Sequence, residues 1–233
     1  MHNLMSQEPP WALKESFSPE IDFCIWVLEV DGLRVPPFDR HAEGDGSLRA
    51  RSMNAEDWQS WVTRIVLLLD QRLLWHIEDQ QSSVASSLKK LKAWQEQQYQ
   101  QAATAVRQIY GESHPPNIWI SNPSDIWDGE PSVGELLREL WSRYQSVFGE
   151  RENNWSEQLV QAPGSQRLYD ALIPYQTRIA SLALYLVAYP EPVEYLVPPV
   201  SAILSVNNER SGSDTFKERV VHAAEGLAVV GNS

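Results

Sequence analysis

Asp39, His41, Glu43, Asp45 and Ser47 set five donor side chains at alternate positions of one short stretch. Taken as a calcium-binding loop starting at Asp39, they occupy positions one, three, five, seven and nine, with Gly44 at six, where such a loop turns sharply. The register then fails. Position twelve is Ala50, where a bidentate glutamate is required, and a histidine at position three is a poor ligand for a hard cation. A transition ion on His41 would suit the imidazole, but no second histidine lies near it. No metal and no cofactor is assigned.

The same stretch carries a second chemistry. Arg34, Arg40, Arg49 and Arg51 crowd it within an acidic chain. Guanidinium groups grip carboxylates and phosphates with two parallel hydrogen bonds, so this set suits a charged partner. The competing account is internal: Asp39, Glu43 and Asp45 could neutralise the arginines and hold the loop shut. A further acidic loop, 121–130, carries Asp125 and Asp128. Two carboxylates could hold a divalent ion or serve as acid and base. Its Asn, Pro, Ser, Asp and Gly are equally what turns require. Trp119 and Trp127, beside and within that loop, are the aromatics placed to anchor a partner.

Common enzyme signatures are missing. There is no His-Glu-x-x-His, no Gly-x-Ser-x-Gly and no phosphate-cradling glycine loop. No Glu-x-x-His pair supports a di-iron helical bundle. His76 falls on an apolar helical stripe, as a hydrogen-bonded core histidine would. The single cysteine, Cys24, excludes an intrachain disulfide, and its apolar neighbours predict a buried, inert thiol.

The elements that hold these loops follow from patterning. Residues 1–20 are polar and proline-bearing, and are expected to form an irregular arm. In 21–30 the β-formers Ile21, Phe23, Ile25 and Val27 alternate, and Asp31-Gly32 suits a two-residue hairpin turn. A small antiparallel hairpin over about 21–36 is therefore expected, with 117–121 able to add a third short strand. Asn54 and Asp57 then start a helix, with Met53 and Trp58 spaced as a staple. Trp58, Trp61, Val62, Ile65, Leu69 and Leu73 continue its stripe towards Glu78.

Further helices are predicted over about 86–110, ended by Gly111, and from Ser132 to Gly149. A polar, mobile-looking stretch should fill 150–164. The apolar run Ile179–Tyr189, too short to span a membrane, is expected to be a buried helix. Residues 200–204 could be a short helix or strand, and a last helix should place Phe216, Val220, Ala224 and Leu227 inward. The fold class is mainly α. Residues 21–233 form one multi-helix domain carrying a small β-element.

A formal charge of −12 repels phosphate backbones, which argues against a nucleic-acid partner. The N-terminus lacks the basic start and apolar core of a secretory leader, and no membrane span is expected, so a cytoplasmic location follows. Ten tryptophans supply bulky core filler and candidate contact anchors. The expected role is a recognition or adaptor domain rather than an enzyme. It would bind a protein partner through the mixed-charge loop 34–51, using Arg34, Asp39, Arg40, His41, Asp45, Arg49 and Arg51. One alternative is a metal-assisted hydrolase built from loops 39–47 and 125–130. Another is a lipid or small-molecule pocket between helices.

Overall fold

The structure is a computed structural model that describes residues 12–38, 46–47, 51, 53–70, 122–159, 165–176, 178–179, 181–187, 189, 191–198, 200–205 and 214–230. Its strands are β1 (Ala12–Phe17), β2 (Ser181–Val187), β3 (Glu194–Val197) and β4 (Ser201–Ser205). Its helices are α1 (Pro19–Asp31), α2 (Ala55–Leu69), α3 (Pro131–Leu159), α4 (Ser165–Leu172) and α5 (Asp214–Val230). Short 3-10 turns occupy Pro123–Ile126 and Ile173–Tyr175. Among the described residues the chain is thus mainly helical, as expected. Its β-structure is a four-stranded mixed sheet rather than an N-terminal hairpin.

Strand order is β1-β2-β4-β3, with β1, β2 and β4 parallel and β3 antiparallel to β4. Side chains alternate across this sheet and build two cores. Ala183, Tyr185, Val187 and Ile203 face α1, α2 and α3, whereas Leu182, Leu184, Leu186, Ala202 and Leu204 face α4 and α5. The molecule is therefore three layers deep. This double covering explains why Ile179–Tyr189 holds a strand and not the expected helix. A central parallel strand is apolar on both faces, so its sequence loses the alternation that would mark it.

The segment expected as a hairpin is α1. Its helical signals stand at the ends. Ser18 caps it by accepting from the Ile21 amide at 3.3 Å, Pro19 fits the first turn, and Glu20 and Asp22 favour the positive helix terminus. Gly32, at φ 72°, closes the helix in the left-handed region. The conformation that Asp31-Gly32 promised is present, but it ends a helix. All of Ile21 to Leu28 is buried, so α1 shows no polar stripe and its β-formers imitate a strand. The real N-terminal strand is β1, inside the stretch expected to be an irregular arm. It pairs with β2 from Ala12 opposite Ser181 to Phe17 opposite Leu186.

Helix α2 begins where expected. Asn54 Oδ1 accepts from the amides of Glu56 (2.8 Å) and Asp57 (3.0 Å), and the Asn54 amide donates to Asp57 Oδ2 at 3.0 Å. The third strand expected at 117–121, the helix at 86–110 and the extension of α2 past residue 70 lie outside the described residues. Helix α3 does not stop at Gly149. That glycine faces open space, its helix penalty is only about 1 kcal/mol, and Arg151 in the next turn is tied to α1. The helix therefore runs through much of the stretch expected to be polar and loose. The last helix keeps Phe216, Val220, Ala224 and Leu227 buried, as its spacing required. Among the described residues no helix is long and apolar enough to cross a membrane.

Cys24 is buried on α1, and burial pushes its thiol well above the ordinary range, with Glu20 and Asp22 adding to the shift. A thiol-reactive dye is expected to leave native protein unlabelled and to label it fully once denaturant unfolds it. Prompt labelling of the native form would contradict this packing.

Candidate functional site

The mixed-charge stretch lies between α1 and α2 in the chain, and several of its described residues are held by contacts to the rest of the fold. Phe38 is buried, with ring centroids 5.8 Å from Trp58, 5.4 Å from Tyr189 and 6.0 Å from Tyr195. The Gly46 amide donates to the Asp31 carbonyl at 2.8 Å, which draws the returning chain back to the end of α1. Arg51 Nη1 donates to the Ser132 carbonyl at 2.7 Å and so touches the start of α3. Arg34 and Arg51 are both exposed. Asp39, Arg40, His41, Asp45, Arg49 and Trp119 lie outside the described residues.

Trp127 is half-buried, and its ring is engaged by its own loop and by α2. Its indole nitrogen donates to the Glu130 carbonyl at 3.0 Å, and the ring stands edge-on to Trp61 at 6.3 Å. A Cβ at Gly129 would strike that ring, so the glycine permits the close approach. Asp128 pairs with the buried Arg64, and Asp125 lies 3.7 Å from Arg138. Among the described residues, no group of three or more His, Cys, Asp or Glu side chains could hold a metal ion.

Two buried polar clusters escaped the sequence reading. In the first, Asp70, the residue that ends α2, lies under the sheet. Its Oδ1 accepts from the Tyr185 hydroxyl and from Lys14 Nζ (3.3 Å), and its Oδ2 accepts from the Ser201 hydroxyl. Lys14 Nζ is also 3.1 Å from Tyr185 Oη. The register explains the convergence: Lys14 pairs with Ala183, and Ala183 with Ser201, so Lys14 and Ser201 share one face across three parallel strands. Burial raises the Asp70 carboxyl above its ordinary value, against the opposing pull of Lys14, Ser201 and Tyr185. Burial likewise pushes the Tyr185 hydroxyl well up, and the Asp70 charge adds to it.

In the second cluster, Asp22 on α1 is fully buried. It accepts from Tyr144 Oη at 2.9 Å and from Arg151 Nε and Nη2 at 2.6 and 3.0 Å. Arg151 Nη1 also reaches Glu29 at 3.0 Å. Burial pulls the Arg151 guanidinium down, but its hydrogen bonds and the charge of Asp22, with Glu29, outweigh that and leave it raised. Each cluster had one visible signal, an acid inside an apolar run: Asp22 between Ile21 and Phe23, and Asp70 after Leu67-Leu68-Leu69. Their partners come from residues far along the chain, which no local pattern could supply.

On the opposite side, His222 of α5 places Nδ1 2.9 Å from both oxygens of Glu194 on β3. The hydrogen bond to Glu194, then its charge, raises the imidazole above its ordinary value. The ring is expected to titrate above about 6.5 and to return towards it in Glu194→Gln, as read by NMR. The sign follows: this contact helps the fold below the ordinary histidine value and fades as pH rises through the raised one.

No protein-family model matches the chain, and neither the curated proteins nor the solved structures contain a match to it.

Proposed function

We propose that the chain is a recognition domain that docks a protein partner on the mixed-charge stretch 34–51 between α1 and α2. The observation that supports this is a combination. Among the described residues of 32–54, Phe38, Gly46 and Arg51 are anchored to the rest of the fold, while Arg34 and Arg51 are exposed. A binding loop gains from such roots, because less conformational freedom is lost when the partner arrives. Arginines in an acidic chain favour a partner that presents carboxylate or phosphorylated groups. The hydrolase alternative draws less support, since Asp125 and Asp128 each pair with an arginine.

The test is affinity capture followed by direct binding with wild type, Arg34→Ala, Arg40→Ala and Arg49→Ala. All are expected to keep the wild-type melting temperature. A partner that crosslinks within 34–51 should lose at least about tenfold in affinity in the arginine variants, or about 1.4 kcal/mol. Equal recovery of the same proteins by wild type and every variant would overturn the proposal.

A further inference from the structure

The Asp70 carboxylate is shared by three strands and a helix end, and its position poses a problem of charge. The side chain is almost wholly removed from water, yet the only cation facing it among the described residues is Lys14, whose own side chain is 38% exposed. The remaining groups that face it are neutral hydroxyls, Tyr185 from β2 and Ser201 from β4. On α1, Glu20 acts on Tyr185 and hydrogen-bonds Ser18. A buried carboxylate must be neutralised by a counter-ion or by a proton. We propose that a proton and the Lys14 ammonium are alternative counter-charges for Asp70, so that acidification hands the carboxyl to the proton and releases Lys14.

A proton taken from solvent binds one Asp70 oxygen, and the new O–H donates to the hydroxyl oxygen beside it, Tyr185 Oη or Ser201 Oγ, whose own hydrogen turns away. Lys14 loses its anion and, among the described residues, keeps its hydrogen bond with Tyr185. Because Lys14 belongs to the edge strand β1, this removes one tie between β1 and the end of α2, while the pairing with β2 and the Phe17–Phe148 ring contact remain. The raised carboxyl value of Asp70 agrees in direction.

NMR of the Asp70 carboxyl carbon and the Lys14 side-chain amine, from about pH 3 to about pH 8, tests this. In wild type both signals should share one midpoint, above the ordinary aspartate value of about 3.9. Lys14→Gln should move the Asp70 midpoint up by about one unit or more, and Lys14→Arg should restore it. An Asp70 midpoint that ignores Lys14→Gln would overturn the proposal. Should that variant fail to fold, the wild type decides alone: Lys14 signals that do not follow Asp70 overturn it, and a shared midpoint supports it.

Discussion

Asp22→Ala is expected to lower the free energy of unfolding by about 3–5 kcal/mol, the usual loss when one partner of a buried charged pair is removed. The reason lies in what remains. Tyr144 is buried and its hydroxyl would keep no acceptor at that site, while Arg151 would hold its charge in a space shaped for two carboxylates. Glu29 would still take one hydrogen bond, which sets the lower end of the range. Tyr144→Phe removes only a donor and should lose about 1 kcal/mol. Asp22→Asn should fall between the two. Urea denaturation measures all three, and a loss below about 1 kcal/mol for Asp22→Ala would show that the cluster is not a structural tie.

The second large effect is at Asp70. Replacement by alanine leaves the hydroxyls of Tyr185 and Ser201 in the core without their acceptor, at about 1–3 kcal/mol each. Lys14 can turn to water and adds little. A total of about 2–6 kcal/mol follows, which for a chain of this length is a drop of roughly 10 °C in melting temperature. Asp70→Asn should lose far less and should change the pH profile. A carboxyl raised in the fold contributes most below its ordinary value and less as pH rises through the raised one. In Asp70→Asn that decline should vanish. A wild-type profile that instead rises over this interval, with the asparagine form parallel to it, would refute the assignment.

The comparison of sequence and structure turns on a few elements. Helix α2 was legible from Asn54, Asp57 and its apolar stripe, because its first turns expose Glu56 and Ser60 beside the buried Trp58, Trp61 and Val62. Helix α5 was legible for the same reason. Helix α1 and strand β2 were not, because both are enclosed. Enclosure removes the polar face on which any period depends, so α1 resembled a strand and β2 a helix. The capping residues Ser18, Pro19 and Gly32 were the better guide to α1 than its composition. Of the loop residues, Arg34, Arg51 and Trp127 are described, and Trp127 is engaged by its own loop and by α2. The clusters at Asp22 and Asp70 depend on parallel register and helix packing, which reside in distant parts of the chain.

The sheet order has a consequence for synthesis. Strand β1 has its only described neighbour in β2, with Ala12 opposite Ser181, and β4 enters between β2 and β3 last of all. At ribosomal speeds β1 must wait roughly 10–30 s for that neighbour to be made. During this interval the nascent chain exposes an unmatched β-edge and the apolar surface of α1. Such late, long-range closure slows folding and invites chaperone capture before release.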